Sequence, residues 1–287
     1  MIDANRHKYS VSALCKALNI SRQSYYYKAK EKADESDLEA EIENSFRKSR
    51  NNYGTRKIKK DILSKGFKVS RRKIGRIMEA KGLVSNYTVK CFKVHKNEVN
   101  EAKLENTLDR EFQNRAPLEA IVTDLTYVKV GCSWHYICMI IDLFNREIIG
   151  HSCGARKDAA LVKQAFSAIS YPLVDVNIFH TDRGKEFDNK VIDELLEAFK
   201  ISRSLSRKGN PYDNSVAEST YKSTKVEFVH QNTFANLKEL KLQLFDYVNW
   251  WNNHRLHGTL DYVTPAEYRR HYNFQNRKKE EQGKMAA

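Results

Sequence analysis

The sequence predicts an α/β protein, with a mixed five-stranded sheet and flanking helices preceded by an all-helical region. Two observations lead to this prediction. Residues 9–82 show helical apolar spacing interrupted by short turns, whereas β-branched and apolar runs dominate after Pro117. Those later runs alternate with helix-like segments, which is typical of a sheet that carries helices on its faces.

The sheet begins with three strands joined by short connections, a pattern that favours an antiparallel meander. Helices and strands alternate after it. The predicted elements, in order, are strands 119–130, 134–144 and 146–154, helix 158–170, strand 176–182, helix 189–201 and strand 202–206. The stretch 233–272 is helical and aromatic. We therefore assign 117–275 to one α/β domain and 276–287 to a disordered basic tail.

Two helix-turn-helix units are predicted ahead of the sheet. Each has a turn, an apolar residue followed by Ser-Arg, and a second helix, for which Ser21 and Ser70 are the expected N-caps. Helix-turn-helix DNA readers have this layout, although ordinary helical hairpins share it. We assign residues 1–33 to the first unit, 34–90 to a second, basic unit, and 91–116 to a linker.

Charge is distributed unevenly along the 287 residues, which have a net charge of +14. Residues 51–100 hold 14 Lys and Arg against 3 Asp and Glu, whereas residues 101–200 hold 12 against 16. A basic block of this kind indicates either a module that binds a polyanion or a solvated helical surface. The side chains that we expect to contact nucleic acid in the helical region are Arg22, Arg71, Arg72, Lys73 and Arg76.

Composition also limits the class of protein. No run of eighteen apolar residues is present, and the first residues lack the apolar stretch of a signal peptide. The five cysteines are scattered without a CxxC pair, which is typical of reduced thiols and provides no zinc site. We therefore expect a cytoplasmic protein that has no membrane partner.

Two aspartates stand out in the predicted strands. Asp124 lies inside the first strand on the same face as Val122 and Val128, where an ionised carboxylate is costly unless it is paired or holds a metal. Asp182 ends the strand 176–182, and strand ends are where α/β sheets place ligands. The alternative for Asp124 is pairing with a buried arginine, and for Asp182 the start of a turn.

Glu218 is the third candidate, in a predicted helix after a loop rich in Gly, Asn and Pro. Lys222 and Lys225 follow it on the same helix face, so an exposed ladder of ion pairs is the alternative interpretation. Three carboxylates from two strands and a helix could hold two divalent cations, which suits a phosphoryl-transfer site. Oxygen ligands favour Mg²⁺ or Mn²⁺, and the lack of Cys and His clusters argues against zinc.

Four motifs carry a resemblance to a known family, and they occur in its order along nearly the whole chain. They are VTDLTYV, FHTDRGKEFDN, SRKGNPYDNSVAES and YVNWWNNHRLHGTLDYVTPAEY, together with a family-like segment NNYGTRKIKKDILSKG upstream. The chain thus resembles insertion-sequence transposases of the OrfB type, which carry a DDE core related to retroviral integrase. Asp182 and Glu218 are separated by 35 residues, the gap typical of that family.

The resemblance implies an RNase H-like core in which Asp124, Asp182 and Glu218 bind two Mg²⁺ or Mn²⁺ ions. It implies that water frees a 3′-hydroxyl at an element end and that this hydroxyl then attacks another DNA strand. Lys222 and Lys225 are implied to lie near the transposon end, and we add Arg207, Lys208 and Arg255 to the expected DNA contacts. The implied partners are transposon ends and target DNA, further copies of the chain on DNA, and an upstream-frame protein or fusion; the implied location is the nucleoid.

Alternatives remain for the activity and for several residues. The chain could be a metal-dependent nuclease on the same core, or a catalytically silent regulator that occupies element ends. We interpret His180 as a structural histidine rather than one that orients a metal-bound water. The aromatic cluster around Trp250 and Trp251 is interpreted as helix packing rather than base stacking. Two rival carboxylates are assigned to local structure, Asp142 to a turn and Asp213 to capping the Glu218 helix.

Overall fold

The computed structural model describes residues 1–27, 35–88, 108, 115–206 and 211–285. The chain forms two compact units, Met1–Ala40 and Glu41–Ala287. None of the helices in the described ranges is long and apolar enough to cross a membrane.

The first unit contains three short helices, α1 (Ile2–Asn5), α2 (Val11–Ala17) and α3 (Arg22–Tyr26). The Ser21 hydroxyl accepts a hydrogen bond from the backbone N–H of Ser24, which confirms Ser21 as the N-cap of α3.

Three longer helices follow, α4 (Ser36–Lys48), α5 (Thr55–Ser64) and α6 (Arg71–Ala80), then a 3₁₀ turn at Asn86–Thr88. Ser70 caps α6 as expected, because its hydroxyl accepts a hydrogen bond from Lys73 N. The apolar residues that these helices bury are Ile42, Phe46, Ile58, Ile62, Ile74, Ile77 and Met78. We call residues 41–88 the basic helical segment.

Five strands form one mixed sheet: β1 (Ala120–Val130), β2 (Ser133–Asp142), β3 (Ile148–Gly154), β4 (Ile178–Thr181) and β5 (Ser202–Leu205). Their order is β3-β2-β1-β4-β5. β1, β2 and β3 pair antiparallel, whereas β4 pairs parallel with both β1 and β5. This confirms the predicted mixed five-stranded sheet, which has the RNase H-like arrangement.

Helices cover both faces of the sheet because alternate strand residues are apolar on both sides. Ile121 belongs to the core that includes residues of α7 (Ala159–Ser167) and α8 (Lys190–Ala198). Val122 belongs to the opposite core, to which α9 (Ser215–Glu227) and α10 (Leu237–Asn253) contribute. The strand β1 therefore lies in the middle of the domain.

The last helix, α11 (Pro265–Met285), extends through most of the predicted disordered tail, so the prediction of disorder from residue 276 is wrong up to Met285. The tail sequence explains the difference, because Lys, Glu, Gln and Met are good helix formers even when they bury little apolar surface.

Candidate active site

Strands β1 and β4 place Asp124 and Asp182 side by side. The two strands pair in parallel with Ala120 opposite Ile178 and Val122 opposite His180, a constant offset of 58 positions. The same offset puts Asp182, one residue beyond β4, level with Asp124. Residues that are level on parallel neighbours point to the same face of a sheet. Both carboxylates are half-buried, at the C-terminal end of β4 where α/β sheets bind ligands.

Burial and nearby charge oppose the ionisation of both carboxylates. Burial, followed by the charge of Asp182, raises the pKa of Asp124 to about 7, although a hydrogen bond from Leu125 N at 2.7 Å partly offsets this. Burial also raises the pKa of Asp182, to which the charge of Glu186 adds, while Gly184 N donates to its Oδ1 at 3.0 Å. A buried pair of like charges is the arrangement that a divalent cation stabilises.

Glu218 reaches this region on α9, which is docked on the sheet by Tyr221 one turn later. The Tyr221 hydroxyl donates to the carbonyl oxygen of Asp124 and accepts from Met139 N at 2.6 Å. Asn214, at the start of α9, also donates from Nδ2 to the Thr123 carbonyl at 3.5 Å. The helix that carries Glu218 is therefore fixed to β1 and β2 at the level of Asp124.

The carboxylate oxygens at this site are suitable ligands for a divalent cation, but the three side chains are not close enough together to form a complete ligand set. Partial desolvation raises the pKa of Glu218, and its charge contributes to the raised pKa of Asp124, yet its side chain is exposed. Among the described residues no three Asp, Glu, His or Cys side chains come close enough together to hold a metal ion. The structure thus brings Asp124 and Asp182 together and leaves Glu218 at the edge.

Two charged neighbours of the aspartates were not identified from the sequence. Glu186 is buried, and its Oε1 forms an ion pair with Lys157 Nζ at 2.8 Å. Burial lowers the pKa of Lys157, but the hydrogen bond and charge of Glu186 and the charges of Asp182 and Asp124 raise it overall. Lys157 thus supplies positive charge beside the carboxylates. The only sequence feature that could have identified Lys157 was its place in the loop after β3, since Glu186 lies in the turn after Asp182.

An aromatic and basic surface is formed by residues of β1, β2 and α9. Lys222 is exposed, and the Lys225 ammonium lies 5.1 Å from the centre of the Tyr127 ring. Tyr127 in turn meets Trp134 edge to face at 5.2 Å, and Trp134 is 57% exposed. These three side chains border an open groove of about 710 Å³. Sequence reasoning found the lysines and missed the two aromatic residues.

His180 and Asp142 have the local roles that the sequence predicts for them. His180 is buried between Ser204 Oγ at 2.9 Å and Ser206 Oγ at 3.1 Å, and burial lowers its pKa to about 4, which supports the structural interpretation. Asp142 accepts Phe144 N within the predicted turn and is also paired with Arg269 at 2.7 Å.

The predicted capping role of Asp213 is wrong, because the N-cap position of α9 is occupied by Asn214, whose side chain makes no capping hydrogen bond. Asp213 is instead buried within the 3₁₀ turn Pro211–Asn214.

The predicted DNA contacts are only partly on the surface. Arg22, Arg71, Arg72 and Arg76 are exposed, Lys73 is half-buried, and Arg207 and Lys208 lie outside the described residues. Arg255 needs correction: it is 7% exposed and donates to Glu227 from Nε at 2.8 Å and from Nη2 at 2.7 Å. Its guanidinium is satisfied inside the protein and is not presented to a phosphate. Trp250 and Trp251 are buried, as the packing interpretation predicts.

The chain is similar to several known proteins. The integrase core domain family matches residues 114–211 and 218–272, and the HTH-like domain family matches residues 32–90.

The putative transposase InsK for insertion sequence element IS150 of Escherichia coli (strain K12) is 30% identical over 274 residues, which are 92% of this chain and 95% of that protein. The transposase for insertion sequence element IS904 of Lactococcus lactis subsp. lactis (strain IL1403) is 27% identical over 85% of this chain and 97% of that protein. The solved HTLV-2 integrase catalytic core domain covers 53% of this chain and 96% of its own, with 18% identity and a TM-score of 0.41. The chain therefore belongs to the OrfB-type insertion-sequence transposases that carry an integrase core domain.

Proposed function

We propose that this transposase cleaves and joins DNA by metal-dependent phosphoryl transfer, with Asp124, Asp182 and Glu218 as the ligands of two Mg²⁺ or Mn²⁺ ions. The observation that carries the proposal is the level placement of Asp124 and Asp182, in which the charge of one raises the pKa of the other. Divalent ions bound there would assist the attacking oxygen and stabilise the leaving oxygen of a phosphodiester.

Each residue has a separate task in this scheme. Asp124 and Asp182 provide the inner face of the site from the sheet. Glu218 completes the site from α9, because its side chain is exposed and free to turn toward bound cations. Lys222 and Lys225, one and two turns further along α9, face the phosphates of the DNA end.

Two displacements follow in order. A water oxygen attacks the phosphorus at the element end, the bond to the 3′-oxygen breaks, and that oxygen leaves as a free 3′-hydroxyl. The 3′-hydroxyl then attacks a phosphorus of the target strand, where one new phosphodiester forms as one breaks. No covalent bond to the protein is needed.

DNA recognition is assigned to the helical regions. We assign residues 1–33 and 34–90 to DNA binding, 91–116 to a linker and 117–275 to catalysis. In α6 the exposed Arg71, Arg72 and Arg76 follow the Ser70 cap, the position from which a second helix of a helix-turn-helix meets DNA. Joining two element ends requires two active sites, so we also propose that copies of the chain assemble on DNA.

The test is a strand-transfer assay with a labelled duplex that mimics an element end, in the presence of Mg²⁺ or Mn²⁺. We expect joined product from the wild type and a loss of several orders of magnitude for Asp124→Asn, because metal-ion catalysis supplies several kcal/mol. Asp175→Asn, which removes an exposed carboxylate away from the site, is the matched control. Equal rates for the wild type and Asp124→Asn would reject the proposal, and cleavage without joining would indicate a nuclease.

A further inference from the structure

A buried ionic cluster joins the helix that carries Glu218 to the basic helical segment 41–88. At its centre lies Glu227, the last residue of α9, which is 3% exposed; Arg255 is 7% exposed, whereas Tyr87, at 46%, lies at the edge of the cluster. Its carboxylate accepts hydrogen bonds from Arg255 Nε at 2.8 Å and Nη2 at 2.7 Å, a two-point pair of the kind that fixes both position and orientation. The proposed chemistry uses neither residue.

Tyr87 is the third member of the cluster, and it comes from the basic helical segment. Its hydroxyl donates to Glu227 Oε1 at 2.5 Å and accepts from Arg255 Nη2 at 3.3 Å. The backbone next to Tyr87 is tied to the rest of the segment, since Asn86 N donates to the Asn51 carbonyl at 3.0 Å. A movement of the segment therefore moves Tyr87 and disturbs the carboxylate of Glu227.

A second connection holds the chain around Arg255. The Tyr53 hydroxyl, also from the basic helical segment, accepts from Leu256 N at 2.7 Å and donates to the His254 carbonyl at 3.3 Å. The residues on either side of Arg255 are thus hydrogen-bonded to the basic helical segment, which also contains Tyr87. The guanidinium itself stacks on Trp251, with 4.2 Å between its carbon and the ring centre.

These contacts anchor α9 at two levels. Tyr221 binds the sheet beside Asp124, and Glu227 binds the cluster at the other end of the same 13-residue helix. A buried ion pair stabilises a protein little compared with apolar packing, but removing one partner is costly, so the pair selects one arrangement of its surroundings. Here the arrangement selected is that of α9 relative to the segment.

We propose that Glu227, Arg255 and Tyr87 are positioning residues that couple DNA binding on the basic helical segment to the placement of Glu218. The inference rests on the proposed function of the site. DNA held by α6 fixes the segment, the cluster transmits this to the end of α9, and the helix presents Glu218 to the aspartates. A chain that binds an element end thereby completes its own active site.

The test uses the full chain, in which the pair is replaced as a unit. Glu227→Leu combined with Arg255→Met removes both charges of the buried pair together, which is tolerated better than removing one, so the fold is expected to persist. The buried Tyr247 hydroxyl, which donates to Glu227 Oε2 at 3.2 Å, loses its acceptor in this variant. Tyr87→Phe removes only the bridging hydroxyl. Asp246→Asn is the matched control, because it breaks an exposed ion pair to Arg50, at 2.8 Å, between the same two parts of the chain.

Three quantities are measured for each protein: affinity for an end duplex without metal, hydrogen exchange of residues 215–227 with and without that duplex, and strand transfer with Mg²⁺. For the wild type and Asp246→Asn we expect DNA binding to slow exchange in α9. For the double variant we expect unchanged affinity for the duplex and no slowing of exchange in α9. We expect its strand-transfer rate to fall by up to about tenfold, the effect of losing about one positioning interaction. Tyr87→Phe is expected to lie between them.

A double variant that keeps both the DNA-induced slowing and the wild-type rate would overturn the inference. If the double variant does not fold, Tyr87→Phe decides by the same criteria. A wild type that shows the slowing in α9 but never forms joined product would reject the proposed function and leave the coupling in place.

Discussion

At the scale of one residue, the fold holds the Asp124 carboxyl group where its ionised form is unfavourable. This carboxyl group is half-buried on a central strand, level with a second aspartate and one helix away from a glutamate. Burial and the charge of Asp182 raise its pKa from the ordinary 3.8 to about 7. Strongly perturbed pKa values of this kind cluster at functional sites.

Replacing this carboxyl group should stabilise the protein when no metal is present. The folded protein binds the Asp124 proton more tightly than the unfolded chain does, so the contribution of Asp124 to stability is fully present below pH 3.8. It is lost as the pH rises toward about 7. We therefore expect Asp124→Asn to raise the free energy of unfolding by at most about 4 kcal/mol at neutral pH and above, and by little near pH 4.

Urea unfolding of both proteins in the presence of a chelator, between about pH 4 and pH 8, measures this difference. Asp175→Asn is the control that removes an exposed carboxylate. A difference between Asp124→Asn and the wild type that stays constant with pH, or that is destabilising at pH 8, would contradict the raised pKa.

At the scale of one element, α9 explains why a helix with little apolar spacing is stable. Its buried face consists of Ala217, Thr220, Tyr221, Thr224 and Glu227, so the helix packs through small residues and through hydroxyl and carboxylate hydrogen bonds. The sequence of α9 has no apolar stripe. It could not show that a buried face exists, because hydrophobic periodicity does not detect polar residues that find partners only in the tertiary structure.

Tyr221→Phe tests the docking of α9. The variant leaves Met139 N without its acceptor and α9 without its bond to Asp124, so we expect a loss of about 1–3 kcal/mol in stability. Strand transfer should fall by more than the folded fraction alone explains, while the affinity for the end duplex is unchanged. Ser219→Ala, an exposed change on the same helix, is the control. Unchanged strand transfer in a destabilised Tyr221→Phe protein would separate α9 docking from catalysis.

The helix α6 makes a prediction about DNA affinity. Each phosphate contact that is lost reduces the slope of log affinity against log salt by about 0.9. Replacing Arg71, Arg72 and Arg76 together by Ala should therefore weaken end binding and reduce the slope by up to about 3. The matched control removes three exposed basic residues of α11, namely Arg270, Arg277 and Lys279. A slope that changes equally in both triple variants would mean that α6 has no special role.

At the scale of the whole molecule, two stretches of sequence far apart in the chain meet in one cluster. Tyr53 and Tyr87 come from the helical segment, and Arg255 comes from the region after α10. The sequence interpretation placed Arg255 among the expected DNA contacts, although it assigned the aromatic residues around it to helix packing. Its partner Glu227 lies 28 positions away on another helix, and spacing alone does not reveal such a pair.

The fold was largely predictable because strands and helices depend on local patterns. β1 to β5 and α7 to α10 occupy the expected stretches, and the level placement of Asp124 and Asp182 follows from parallel pairing of their strands. Long-range contacts were not predictable. The Lys157–Glu186 pair, the docking of Tyr221 and the burial of Arg255 all depend on how the elements pack, and a single sequence does not encode packing in a readable spacing.

Counting bound Mn²⁺ shows whether Asp124, Asp182 and Glu218 together hold divalent cations. The measurement is the stoichiometry of Mn²⁺ bound by the chain on an end duplex, for the wild type, Asp182→Asn, Glu218→Gln and the control Asp175→Asn. We predict about two ions per active site in the wild type and the control, and fewer in both site variants, with a larger loss for Asp182→Asn. Equal Mn²⁺ binding by all four proteins would mean that these carboxylates do not form the metal site.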